Sequence, residues 1–155
     1  MPISSIGAAH VAAALAALAF GLFVIATRKG TQLHRAMGMA YAIAMVVLNL
    51  CALMIYRING HFGPFHVLAL LSLATIFAGV AMAVMRPRNW LVRHYLMMNF
   101  SYLGLLSAAT TQMLVNVPAL HGTMTGIVSA VAFTAIGFII LPRLQRPALS
   151  AVEAD

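Results

Sequence analysis

HVAAALAALAFGLFVIATRKGTQLHRAMGMAY, residues 10–41, and HVLALLSLATIFAGVAMAVMRPRNWLVRHYLMMNFSY, residues 66–102, are two versions of one pattern. Each opens on a His-Val pair and runs through an apolar stretch. A basic loop follows, then a second histidine with a methionine three residues beyond it. The outer histidines are His10 and His66; the inner ones are His34 and His94, followed by Met37 and Met97. A tandem repeat of this kind in a membrane chain implies a pseudo-two-fold axis along the membrane normal. It predicts His10 against His66 near one surface and His34 against His94 near the other.

Composition fixes the class. Hydrophobic residues make up 63% of the 155-residue chain and charged ones 7%, with a mean hydropathy of +1.00. A soluble domain of this size does not carry such a composition, so the chain is an integral membrane protein. The apolar runs are Ile6 to Thr27, Ala36 to Tyr56, Phe65 to Met85, Tyr95 to Val117 and Thr123 to Leu141. The first gives about 33 Å of helix against a hydrocarbon core of roughly 30 Å. Lipid offers backbone groups no partner, so each run should be a helix. The predicted fold is all-α and polytopic, with five transmembrane helices. Repeat units at about 6–56 and 65–117 form a four-helix core, to which a fifth helix, 123–141, is added. One transmembrane domain thus covers 1–142, and 143–155 is a mobile tail.

The net charge of +7 is topological and implies no nucleic acid. Arg28, Lys29 and Arg35 surround the first loop and Arg86, Arg88 and Arg93 the third, while Arg143 and Arg146 follow the last helix. Only Arg57 falls on the opposite side, a split of eight to one. That bias puts the C-terminus in the cytoplasm and the N-terminus outside, as expected for a bacterial inner-membrane protein with a retained first helix. Some of the basic residues can also touch anionic lipid. Trp90 and Tyr95 are placed as interfacial anchors at one face, and Tyr56 and Phe62 at the other. The fifth helix spaces Gly126, Ala130 and Thr134, with Ser129, Phe133 and Gly137 nearby, so it suits close packing on the core or a homodimer contact.

The chemistry available is narrow. Both acidic residues, Glu153 and Asp155, lie in the tail. Paired-carboxylate catalysis, a carboxylate-bridged di-iron site, and Mg²⁺ or Ca²⁺ binding are therefore excluded from the membrane region. Cys51 is the single cysteine and reads as a small buried hydrophobe. Six histidines remain, in a setting where polar groups are costly unless they have a role. Imidazole is the commonest protein metal ligand and a haem axial ligand. His34, Met37 and Tyr41 share a helix face, with Gly38 leaving room beside them; His94, Met97, Ser101 and Tyr102 repeat much of it. Arg35 and Arg93 adjoin the inner histidines and can pair with haem propionates or phosphate. His61 can replace His66, and His121 reads as a loop residue. Against each ligand assignment stands a simpler one: an interfacial imidazole bonded to a neighbouring helix, water or lipid.

RKGTQLHRAMGMAY and RHYLMMNFSYLGL, with the upstream His10, resemble a bacterial family of predicted membrane proteins catalogued as domain of unknown function 2306. The likeness covers about residues 7–112. Tyr95 and Leu96 depart from it, since relatives often show a tryptophan before the methionine. The resemblance implies a polytopic membrane protein and no activity. Four helices with histidines near both faces are also similar in outline to the b-type transmembrane cytochromes. The leading expectation is haem b at two bis-histidine sites, His10/His66 and His34/His94, roughly 20 to 25 Å apart along helices rising 1.5 Å per residue. The chain would then be a component of a membrane oxidoreductase, exchanging electrons with a quinone or another redox partner. The alternatives are a Cu or Zn binding or assembly protein using the same histidines with Met37 or Met97, and a structural accessory subunit.

Overall fold

A computed structural model describes residues 4–59, 62–115, 128, 131–133, 135–137 and 139. It is all-helical over the described residues. Four helices are complete: α1 (Ser5–Ala26), α2 (Gln32–Asn59), α3 (Pro64–Met85) and α4 (Trp90–Val115). The described residues from 128 to 139 are helical too and belong to the expected fifth helix. The tail, and Gly126, Ser129, Ala130 and Thr134 of the small-residue pattern, lie outside the described residues. The chain divides into two compact units, Met1–Val80 and Ala81–Asp155.

Among the described residues three helices are long and apolar enough to cross a bilayer: Ser5–Ala26, Gln32–Ile55 and Phe65–Met85. α4 matches them in length but carries Arg93, His94, Asn99 and several hydroxyls. Large apolar side chains such as Leu15, Leu22, Phe23, Leu71 and Phe77 stand exposed. In water so much bare apolar surface would drive aggregation; in lipid it is the solvent-facing side. The protein is a polytopic membrane protein.

In the first unit, α1 presents its small residues inward. Ala13, Ala17 and Gly21 are buried at four-residue spacing, and small surfaces let backbones approach closely. α2 packs along α1, and its Tyr41, Met45 and Leu48 are buried. Polar residues start each helix. The Ser4 hydroxyl accepts from Gly7 N–H at 3.1 Å to cap α1, and Thr31 Oγ1 accepts from His34 N–H at 3.1 Å to cap α2. Such caps satisfy amides that the helix leaves unpaired. They also explain why α2 begins at Gln32, a turn before the expected Ala36. The helix is extended by capping chemistry that an apolar-run reading does not register. α4 likewise begins at Trp90 rather than Tyr95.

Inside the bundle, Asn49 donates Nδ2 both to Met45 O at 2.7 Å and to Ser72 Oγ at 3.0 Å, clasping α2 to α3. In the second unit, the fifth helix meets α4 closely. A Cβ added to Gly137 would lie 2.5 Å from Leu103 Cδ1 and 3.8 Å from Phe100 Cε1. Gly137 is therefore a packing glycine against α4 in this chain.

Candidate functional site

His10 sits about 7.5 Å along α1 from its first residue, at 1.5 Å per residue. It is half-buried, and its Nδ1 lies 3.2 Å from the carbonyl oxygen of Leu48 on α2. A carbonyl only accepts, so in the neutral ring Nδ1 carries the proton and Nε2 keeps its lone pair. Metal-bound histidines are held this way: the far ring nitrogen donates to a carbonyl or carboxylate, which fixes the tautomer and raises ligand basicity.

His66 is built the other way round. It is the third residue of α3, buried, with Phe62 5.2 Å away ring to ring. Gly63 N–H donates to His66 Nδ1 at 3.1 Å, while His66 N–H donates to Gly63 O at 3.0 Å. The imidazole thus takes the part that Glu or Gln plays in a capping box, accepting from the N-cap amide, while the Gly63 carbonyl stands in for the missing N-cap side chain. Pro64 between them is at the first helical position, where its missing amide costs nothing. With Nδ1 accepting, the neutral His66 ring carries its proton on Nε2. His10 thus fits axial ligation as it stands. His66 fits only after giving up its cap and moving the proton to Nδ1.

The inner histidines lie in different units. His34, half-buried, is the third residue of α2, and its backbone is tied to Thr31. Met37 is half-buried and Tyr41 2% exposed on the same face. A Cβ on Gly38 would meet nothing within 4 Å, so the room expected there exists. His94 is half-buried, its ring 6.5 Å from Trp90. Met97 and Tyr102 are half-buried and Ser101 buried. Arg35 is exposed and donates Nη2 to Gly30 O at 3.1 Å, a bond within its own loop. Arg93 is exposed. His61 and His121 lie outside the described residues, and Cys51 is a free, half-buried thiol.

Two participants were invisible to sequence reasoning. The Leu48 carbonyl is backbone, and no side-chain pattern marks it. Asn49 had a signal, since it is a lone amide within an apolar span, but its partner Ser72 is known only from helix packing. Among the described residues no group of three or more His, Cys, Asp or Glu gathers to hold a metal ion. Zinc wants three or four protein ligands. Haem needs only one or two, because the macrocycle supplies the rest.

The family model of predicted membrane proteins catalogued as DUF2306 matches residues 7–144. The chain belongs to that family. No curated protein and no solved structure matches it.

Proposed function

Starting from a DUF2306 membrane protein with a ligand-ready histidine inside its bundle, we propose that this chain binds haem b within the bilayer and serves as an electron-transfer component of a membrane oxidoreductase. One observation carries the reading: the Nδ1–H of His10 is held by the Leu48 carbonyl, which leaves the Nε2 lone pair available as a ligand. The bound haem would supply one-electron chemistry. The protein's part is to orient ligands and to exclude water from around them. His10 is the outer ligand, with His66 its partner once uncapped. His34, with Met37 and Tyr41 on its face, and His94, with Met97 and Tyr102, would each offer an inner ligand. The electron donor would be a quinol or a soluble reductant. The eight-to-one distribution of basic residues orients the chain with its N-terminus outside a bacterial inner membrane. A homodimer through the fifth helix is a separate possibility that Gly137 does not support, since that glycine is occupied by α4.

Purified full-length protein loaded with haem should show a Soret band, and His10→Ala should remove the outer-site share of it. A colourless protein that retains stoichiometric copper or zinc would move the reading to metal binding. A specific observation favours a structural reading instead: His34 and His66 both occupy the third position of a capped helix. If every histidine variant changed stability but no spectrum or metal content, that reading would replace ours.

A further inference from the structure

The two basic loops carry three cations each but employ them differently. In the α1–α2 loop, Lys29 donates Nζ to Val24 O at 2.7 Å and to Ile25 O at 2.9 Å, closing the end of α1. Desolvation there lowers its pKa from the ordinary lysine value. Arg35 is bonded to Gly30 O. Only Arg28 is left over. Cations at a helix C-terminus complement its carbonyls and dipole, so these charges have an internal use.

The α3–α4 loop spends none of its guanidinium hydrogen bonds in this way. Arg86 lies over the Trp90 ring, 5.2 Å from its centroid, a cation–π contact that leaves its N–H groups directed elsewhere. Arg88 and Arg93 are exposed; among the described residues neither guanidinium has a hydrogen bond or an ion pair. The loop is also held stiffly. Arg86 and Asn89 adopt positive φ, 48° and 59°, Pro87 fixes its own φ, and Trp90 N–H bonds Pro87 O at 2.9 Å. No carboxylate stands among the described residues, which leaves the arginines of this loop open to an anionic molecule.

The surface directly beneath identifies that molecule. Val84 and Met85, the last residues of α3, are each 74% exposed. Guanidinium groups that follow bare aliphatic side chains in the chain, one of them over an indole, match an amphiphile with an anionic head and acyl chains. A small free anion has no use for the apolar half. We propose that the α3–α4 loop is a binding site for an anionic phospholipid, whose headgroup phosphate is held by Arg88 and Arg93 and flanked by Arg86 on Trp90. Its acyl chains lie along Val84 and Met85. Guanidinium suits phosphate because its planar fork donates two parallel bonds. This site rests on the membrane assignment and is independent of the haem reading.

The test uses full-length protein in nanodiscs of phosphatidylcholine containing a minority of phosphatidylglycerol, with retained lipid read by native mass spectrometry. Wild type should retain phosphatidylglycerol in preference to phosphatidylcholine. R88Q/R93Q should lose about fivefold in that preference for each arginine removed, the effect of one cation at the membrane surface. Arg28→Gln should change it little. R88K/R93K keeps the charge and should retain an intermediate preference, which guards against loss through misfolding, and circular dichroism should give all variants the same helix content. The proposal is overturned if R88Q/R93Q retains phosphatidylglycerol like wild type, or if Arg28→Gln reduces it equally. It is also overturned if inorganic phosphate displaces the lipid as well as glycerol-linked phosphate does. R88Q alone, at a residue with no part in the haem reading, should lose about fivefold of the preference, and R88Q that retains phosphatidylglycerol like wild type overturns the proposal.

Discussion

His10 and His66 stand at the same place in the two repeats, yet one ring donates a hydrogen bond through Nδ1 and the other accepts one there. The cause is where each helix starts. His10 is the sixth residue of α1 and His66 the third of α3. A third-position side chain reaches back to the capping amide, here Gly63 N–H. A sixth-position side chain is past that reach and turns to the next helix, here to Leu48 O. Three residues of register thus separate a ligand-ready ring from a capping ring. A repeat in sequence preserves residue types, but the hydrogen-bond role of an imidazole depends on what precedes it by three or four residues.

The largest expected effect tests that contrast. His10→Ala removes the prepared donor, and protein loaded with haem should lose the outer-site signal altogether. His66→Ala should cost the cap, about 1 kcal/mol of stability. His66→Gln should restore most of the stability, since glutamine is an accepted third-position capping residue. Visible spectra and thermal denaturation in detergent read the two quantities separately. Equal spectral loss in His10→Ala and His66→Ala would show that His66 leaves its cap to complete the outer site, as the haem reading requires; spectral loss in His10→Ala alone would leave His66 a capping residue.

A second pair of positions extends the comparison to packing. Gly38 in the first unit faces open space, whereas Gly137 in the second meets Leu103 and Phe100. Gly137→Ile should therefore destabilise by about 1–3 kcal/mol, the usual cost of overpacking. Gly137→Ala should cost less, because the atom it meets is the end of a flexible leucine. Gly38→Ala should be neutral or stabilising by up to about 1 kcal/mol from helix propensity. If Gly38→Ala instead expelled a bound chromophore, the open space beside His34 would be the cofactor's.

Membrane character, the first three spans and the existence of a fourth and fifth helix were legible because hydrophobicity over about 20 residues is a signal summed across a whole helix. The family was legible from the His-Arg and His-x-x-Met elements. The beginnings of α2 and α4 were not, since Thr31 and Asn89 act through single hydrogen bonds and backbone angles that leave no periodic trace. At the candidate site, the sequence located His10 and His66 but assigned them one role. What divides them is a carbonyl on another helix and an amide three residues upstream, and neither belongs to a side-chain pattern. The same limit hid the clasp between Asn49 and Ser72. Its test is modest in size: Asn49→Ala should cost about 0.6 to 1.7 kcal/mol, the range for interhelical hydrogen bonds in membrane bundles. A double-mutant cycle with Ser72→Ala should return most of that as coupling. No coupling would mean that Asn49 serves only its own helix through Met45 O.

The smallest effect concerns the methionines that follow the inner histidines. Met37 and Met97 keep the same three-residue offset in both hairpins, and both are half-buried. Leucine nearly matches methionine in volume, so Met37→Leu and Met97→Leu should each change stability by less than about 1.5 kcal/mol. If histidine alone supplies the ligands, neither variant should alter spectrum or metal content. A thioether, however, is a soft ligand that suits Cu(I), and leucine offers no sulfur. Metal analysis of both variants after copper loading therefore separates the readings. Copper lost from Met37→Leu and from Met97→Leu would identify a His-Met pair in each hairpin, and the likeness between the two inner sites would then be functional. Unchanged retention leaves both methionines as packing residues beside histidines that work without them.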